Sequence, residues 1–335
     1  MQPVRAAVIG LGIGEQHALT YEAHPDCVLS VLCDLSGTKL TEVGKRFPGA
    51  STTQNPDSVI DDPNIDILSI ASFDDAHAEQ VARALDSGKH VFVEKPLCQN
   101  IEELVAIKNV WHRHRGRVKL SSNVVLRTAP LYCWLRERIR SGELGEVYSF
   151  DGDYLYGRLE KITHGWRKDV ADYSVMAGGG IHLIDLFVWL TSLRPRTIYA
   201  VGNRICARDS EFLYDDYTAA TLNCPSGAVA RFTANFGCVH RHQHVLRIFG
   251  TNSTFIYDDA GPRWHWTRDA AAAASPVNLS PFPVSKGDLL RQFIDAVCND
   301  TDIDGETQSH FDVMSIILAC DRSVRTGRPT EVVYL

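Results

Sequence analysis

A glycine-rich turn, an acidic strand end and a lysine between glutamate and proline are the residues of this chain whose types and spacing suit chemistry. Gly10-Leu11-Gly12-Ile13-Gly14 stands directly after a strand-like run and directly before a helix-like one. Glycines there let the backbone turn sharply and approach a pyrophosphate, whose charge is met by the free N–H groups of the helix N-terminus. The spacing departs from G-x-G-x-x-G, because position 15 is Glu15 and Gly14 arrives one residue early. Asp34 ends the next strand-like run, where a carboxylate accepts hydrogen bonds from the adenosine ribose and repels a 2′-phosphate. Leu35-Ser36-Gly37 follows, with no arginine, so NAD is expected in preference to NADP. Glu94-Lys95-Pro96 comes straight after the run Val91–Val93. Alone it reads as an exposed turn. In register with the glycine turn and Asp34, it puts a lysine at the carboxyl edge of a parallel sheet, where open α/β sheets bind ligands.

The elements that must position these residues alternate. Strand-like runs at Val4–Ile9, Val28–Cys33, Ile65–Ala71, Val91–Val93 and Val118–Leu120 are separated by helix-like segments at Glu15–His24, Thr38–Phe47, Asp75–Ser87 and Ile101–His112. Short, continuously apolar strands between helices of this length predict an α/β fold with a doubly wound, parallel Rossmann sheet. After Asn123 a helix at Ala129–Ser141 leads into longer runs at Val147–Tyr156, Thr197–Cys206, Thr218–Cys224, Ala228–Phe236 and Val245–Phe249. Pro225-Ser226-Gly227 reads as a hairpin turn between two of them. This predicts a second α/β domain with a large, antiparallel or mixed sheet. Gly261–Pro281 reads as a loop excursion, and helices at Leu289–Cys298 and Phe311–Ser323 close the chain. The expected division is residues 1–122 and 123–335.

Composition narrows the function classes. A chain of 335 residues is long enough for two cores. Its longest apolar run, Ile181–Leu190, is interrupted by His182 and Asp185 and is too short to span a bilayer. The N-terminus carries no secretion-signal pattern, so a cytoplasmic location is expected. The nine cysteines are scattered with no C-x-x-C pair, which argues against a disulfide framework or zinc ribbon. A net charge of −7 argues against nucleic-acid or anionic-membrane surfaces. His240, His242 and His244 fall on one strand face by the two-residue period. With no acidic or thiol neighbour, no metal site is expected there, and a solvated or subunit-facing strand is favoured.

The chain resembles the glucose-fructose oxidoreductase/inositol dehydrogenase/rhizopine-catabolism (Gfo/Idh/MocA) family over essentially its full length. The matching pieces are the 10–17 turn, Asp34, Asp66–His77, Gly88–Pro96, Arg127–Pro130, Gly142–Val147, Gly178–Asp185 and Gly250–Phe255. The resemblance implies a Rossmann domain followed by a domain with a mostly antiparallel sheet, whose open face packs in homodimers or homotetramers. It implies NAD(P)-dependent oxidation of a sugar, cyclitol or nucleotide-sugar hydroxyl. Lys95 would sit beside the nicotinamide and reacting hydroxyl, and Glu94 by the nicotinamide ribose, while Ser72, Phe73 and His77 would lie in a loop near the cofactor. His182 matches the family's catalytic histidine. The family commonly carries Asp four residues before it, where this chain has Gly178. Asp185, one helical turn on, is then the candidate to orient His182. Candidate substrate contacts are Trp166, Arg167, Tyr154, Tyr156 and Arg127. The alternative is a non-catalytic dinucleotide and sugar sensor on the same fold.

Overall fold

The computed structural model describes residues 3–335. The chain divides into two compact units. The first holds the residues through Val125, with Val284–Phe311 and Leu335; the second holds Leu126–Pro283 and Asp312–Tyr334.

The first unit alternates β1 (Val4–Ile9), α1 (Gly14–Glu22), β2 (Cys27–Cys33), α2 (Gly37–Gly44), β3 (Ser51–Thr53), α3 (Pro56–Ile60), β4 (Ile67–Ile70), α4 (His77–Asp86), β5 (His90–Val93), α5 (Ile101–Arg113) and β6 (Leu120–Ser122). Its strands are parallel, in the order β3-β2-β1-β4-β5-β6. The order reverses between β1 and β4, the point where such sheets open a crevice at their carboxyl ends. Every residue of β4 is buried, which is why the strand reads as a continuous apolar run. Side-chain caps start three of the helices: Ser36 accepts from the Lys39 amide, Asn55 from Asp57 and Asn100 from Glu103. β3 and α3 were not expected, because Ser51-Thr52-Thr53 carries no apolar alternation to mark a strand. The helix Asp288–Cys298 also belongs to this unit. Its Leu289, Leu290, Phe293 and Ile294 share a core with Leu11, Ala18, Tyr21 and Phe92.

The second unit opens with α6 (Pro130–Arg140), β7 (Val147–Leu155) and the short α7 (Glu160–Thr163). A π-helical turn, Met176–Gly180, then runs into α8 (Ile181–Thr191). The sheet is completed by β8 (Thr197–Asn203), β9 (Tyr217–Asn223), β10 (Val229–Asn235), β11 (Gln243–Gly250), β12 (Thr254–Asp258), β13 (Gly261–His265) and β14 (Ser275–Pro276). After α9, the helix Asp288–Cys298 already described, α10 (Asp304–Thr326) and β15 (Thr330–Glu331) end the chain. Nine strands lie in the order β14-β13-β12-β11-β7-β10-β9-β8-β15, antiparallel except where β7 pairs with β10. The β9–β10 turn closes with the Gly227 amide donating to the Cys224 carbonyl. Phe150, Phe187 and Phe232 meet edge-on or tilted at 5.2–5.8 Å and fix α8 against β7 and β10. On β7, the alternate residues Asp151 and Asp153 pair with Arg231 and Arg247.

The expected loop at 261–281 is corrected at its start. Residues 261–265 form β13, and Trp264 is buried against Trp134 and Phe255. Gly261, Pro262 and the polar Arg263 hid the strand. α10 begins earlier than its apolar periodicity does, because its first turn, Asp304-Gly305-Glu306, is polar. Among the described residues no helix is long and apolar enough to cross a membrane.

Candidate active site

In the first unit the glycine turn leaves β1 at its carboxyl end. Gly10 has φ +87°, and its N–H donates to the Cys33 carbonyl at 2.8 Å. A Cβ there would stand 2.2 Å from the Ala71 carbonyl oxygen, so this position admits only glycine. Gly12 is different. Nothing lies within 4 Å of where its Cβ would be, so no protein atom requires glycine there. Such open space is what a phosphate approaching the backbone needs. α1 starts without a side-chain cap, leaving its first amides available to that anion.

Asp34 faces the same turn. Its two carboxylate oxygens each accept one backbone N–H, from Leu11 at 2.7 Å and from Ser36 at 2.8 Å. Each oxygen keeps lone-pair capacity for a vicinal pair of hydroxyls. Exposed apolar side chains follow three of these strand ends: Ile13 (37%), Leu35 (70%) and Phe73 (50%). Large apolar groups in the open beside a phosphate cradle suit the flat faces of a dinucleotide.

At the end of β5, Glu94 is held by a buried polar nest. Its Oε1 accepts from Asn123 Nδ2 at 2.6 Å and meets His17 Nε2 at 3.2 Å. Burial raises its pKa, but the hydrogen bonds from His17 and Asn123 and the charge of Lys95 outweigh it and leave the carboxyl below the usual range. Three buried polar atoms around it have no partner: His17 Nδ1, Asn123 Oδ1 and the Ser122 hydroxyl. Buried polar groups are ordinarily hydrogen-bonded, so three unpaired atoms around one carboxylate set this place apart from the packed core. Lys95 follows, joined to Pro96 by a cis peptide bond.

His77 and Ser72 are held by bonds within the protein. The His77 ring is fully buried, with Nδ1 2.7 Å from the Pro96 carbonyl and Nε2 3.2 Å from that of Ser72. It ties the loop after β4 to the loop carrying Lys95. The Ser72 hydroxyl donates to Gln80 Oε1 at 2.8 Å.

In the second unit, His182 lies in the first turn of α8, half-buried, in an aromatic cluster. Its ring centroid is 6.3 Å from Tyr154 and 5.6 Å from His244. Tyr154 is almost fully buried, stacks on Tyr156 at 5.6 Å and meets the edges of His242 and His244. Burial pushes the His242 pKa down to about 4, helped by Arg158, and that of His244 down to about 3, helped by His242. Both imidazoles are therefore neutral near pH 7. The expectation was a solvated or subunit-facing His240–His244 strand face, and the solvated reading is corrected for His244. His244 is interior, His242 is half-buried and His240 turns to Asp259. Among the described residues no group of three His, Cys, Asp or Glu side chains is placed to hold a metal.

The Asp185 carboxylate, expected to orient His182, is bound by Arg127. Arg127 takes its carboxylate bidentately, Nε at 3.1 and 3.2 Å and Nη2 at 2.6 Å, and both side chains are buried. A bidentate guanidinium–carboxylate pair is the strong form of this contact, and it occupies two residues expected to do chemistry and substrate binding. Burial still raises the Asp185 pKa, against the opposing charge of Arg127.

Gly178 has a local cause. A Cβ there would stand 2.1 Å from the Tyr173 hydroxyl oxygen, and one at Gly179 would strike the Tyr154 ring at 2.2 Å. Tyr173 fills the room that a side chain at 178 would need. The π turn is anchored by Ser174, whose hydroxyl accepts from the Ala177 amide and donates to Asp321 at 2.6 Å. Burial pushes the Asp321 pKa up to about 6, against the Ser174 hydrogen bond. Trp166 and Arg167 lie on a 3-10 turn, the guanidinium 4.5 Å over the indole.

Comparison with known proteins now bears on this arrangement. Residues 4–121 match the oxidoreductase family with an NAD-binding Rossmann fold, and residues 132–256 match the Gfo/Idh/MocA C-terminal domain. The chain belongs to the Gfo/Idh/MocA family. Among family relatives, scyllo-inositol 2-dehydrogenase (NAD(+)) of Bacillus subtilis is 29% identical, over 98% of this chain and 96% of that one. Levoglucosan dehydrogenase of Pseudarthrobacter phenanthrenivorans is 29% identical over 57% of this chain, a stretch spanning about half (52%) of that protein. The fold is shared with the structure of a levoglucosan dehydrogenase in complex with NADH (TM-score 0.87, 22% identity, 100% of both chains). It is shared also with myo-inositol 2-dehydrogenase of Lactobacillus plantarum (TM-score 0.84, 21% identity, 99% and 100%). The first unit is thus an NAD-binding Rossmann domain, and the chain is an oxidoreductase of this family.

Sequence reasoning passed over several residues packed around the candidate ones. Asn123 follows β6 just as Glu94 follows β5, so the strand-end rule that selected Lys95 would have found it. Tyr173, Asp321 and the burial of His244 had no local signal.

Proposed function

We propose that this chain is an NAD-dependent dehydrogenase that moves a hydride between nicotinamide and a secondary hydroxyl of a sugar or cyclitol. The observation that carries this reading is the buried Glu94–His17–Asn123 nest with its unpartnered atoms, directly preceding Lys95 at a parallel strand end. Relatives named for inositol and levoglucosan support the substrate class. Asp34 supports NAD over NADP, because its carboxylate repels a 2′-phosphate.

Bound NAD supplies the hydride acceptor. Lys95 holds a positive charge for the alkoxide that develops as the carbinol loses its proton. His182 receives that proton, with its ring set by Tyr154 and His244. Arg127 and Asp185 form a buried pair that supports the fold. Filling of the 178 position by Tyr173 favours one second reading, a sensor that binds dinucleotide and sugar without turnover.

A turnover screen decides. NADH formation is followed over sugars, cyclitols and nucleotide sugars, with wild type, Lys95→Ala and His182→Asn. Lys95→Ala is expected to lower kcat by about 10²-fold or more while the NADH Kd stays within about tenfold. His182→Asn should erase the acidic limb of the pH–rate profile for oxidation. Wild-type turnover of no member leaves the sensor reading; near-normal turnover by Lys95→Ala removes that residue from the mechanism.

A further inference from the structure

The aromatic cluster around Tyr154 carries more positive charge than a neutral sugar requires. The chain as a whole has a net charge of −7, yet residues 158–169 hold four cations, Arg158, Lys161, Arg167 and Lys168, against Glu160 and Asp169. Lys168 is committed to Glu211 and Asp169. Arg158 and Arg167 have no carboxylate partner among the described residues. Each rests on an aromatic ring instead, Arg158 at 5.3 Å from Tyr156 and Arg167 at 4.5 Å from Trp166. Burial and the neighbouring Tyr156 and Tyr173 raise the pKa of the Tyr154 hydroxyl, and the charges of Arg167 and Arg158 oppose them. The nearest carboxylate on the strand, Asp153, is taken by Arg247 and Thr233.

A second, independent observation marks the cluster as a ligand site. His244 is more than nine-tenths buried and its Nε2 has no hydrogen-bond partner, and neither has the Nε2 of His242, 4.9 Å away ring to ring. Neutral imidazoles with an open nitrogen accept or donate a single hydrogen bond, which suits sugar hydroxyls. Guanidiniums held over rings and lacking a counter-charge suit a planar or tetrahedral anion.

We infer that Arg158 and Arg167, with Tyr156, His242 and His244, form an anion-recognising subsite, and that the substrate is a sugar or polyol bearing a carboxylate or a phosphate. This rests on the dehydrogenase reading above and narrows its substrate class. The imidazoles take hydroxyls, the guanidiniums take the acidic group, and the stacked tyrosines cover the apolar face of the ring.

The test uses the full chain loaded with NADH for binding and supplied with NAD for turnover. Matched neutral, carboxylate and phosphate members are compared in two configurations: glucose, glucuronate and glucose 6-phosphate, and the corresponding galacto series. Calorimetric titration is expected to give at least one anionic member about tenfold or more tighter than its neutral counterpart. That preference should shrink by about tenfold or more in Arg158→Gln and Arg167→Gln, and kcat/KM should follow it. Whether the carboxylate or the phosphate arm gives the preference identifies the anion. Absence of anion binding in both series, equal binding of neutral members, or a preference unchanged in the variants overturns the subsite. Anion binding without oxidation of any member keeps the subsite and removes the dehydrogenase reading. Oxidation of neutral members without anion preference does the reverse.

Discussion

Two glycines on either side of Leu11, Gly10 and Gly12, should fail in opposite ways when each is given a methyl group. At Gly10 the new Cβ meets the Ala71 carbonyl oxygen at 2.2 Å, and the backbone sits at φ +87°. A left-handed conformation costs a non-glycine residue about 1–2 kcal/mol. Overpacking against a strand-end carbonyl that cannot move aside adds about 1–3 kcal/mol. Gly10→Ala should therefore lose about 2–5 kcal/mol of stability in the first unit. At Gly12 the Cβ meets nothing within 4 Å and the backbone is not left-handed. Gly12→Ala should leave stability unchanged or raise it by up to about 1 kcal/mol, because the unfolded chain loses freedom. Its damage falls on the ligand. If a pyrophosphate occupies that space, a methyl forces it outward, and NADH affinity should drop by about tenfold or more, equivalent to about 1.4 kcal/mol. Denaturant titration and NADH fluorescence titration on both variants separate the two effects. A stable Gly12→Ala protein that binds NADH within about twofold of wild type would refute the argument that this space belongs to the cofactor.

Asp34→Gly should narrow the preference for NADH over NADPH by removing the charge that repels a 2′-phosphate; a wild-type preference for NADPH in the same titration contradicts the assignment. Asp185→Asn should destabilise the protein by about 3–5 kcal/mol by leaving the Arg127 charge buried without its carboxylate, whereas Arg127→Met with Asp185→Leu should cost less than the single change. A double variant less stable than Asp185→Asn would show that the pair does more than neutralise itself. Asp321, with its pKa raised to about 6, binds its proton more tightly folded than unfolded. Its contribution is present at low pH and is lost as pH rises through about 6, up to about 2–3 kcal/mol. His242 and His244, held at about 4 and 3, act in the opposite sense, favouring the folded state as pH rises toward their unfolded value. The difference in stability between wild type and Asp321→Asn, measured by denaturation from pH 4 to 8, isolates the carboxyl; a flat difference refutes it.

The parallel sheet was legible because its strands are buried on both faces and say so residue by residue, as β4 does. β3 was not, since three polar residues at a sheet edge look like a loop. The carboxyl-end rule located Asp34 and Lys95, but their partners depend on tertiary register. That the Leu11 amide reaches Asp34, or that Asn123 reaches Glu94, is decided by which strands are neighbours. Helical spacing offered Asp185 as a neighbour for His182. The same spacing could not show that Arg127, 58 positions away, takes the carboxylate first. Gly178 read as a missing acid in sequence; in three dimensions it is a vacancy made for the Tyr173 hydroxyl.

The helix Asp288–Cys298 gives the nucleotide-binding unit an unusual birth order. Leu289, Leu290, Phe293 and Ile294 complete the core that Tyr21 and Phe92 begin, so the N-terminal sheet emerges from the ribosome with one of its walls still unmade. At about 5–20 residues per second, roughly ten to forty seconds of translation separate Val125 from Phe311. Through that interval the nascent Rossmann sheet lacks the helix whose apolar side chains complete this part of its core. The part of the protein made first is therefore finished only near the end of synthesis, and a chain stalled before Val284 lacks the residues that close its first core.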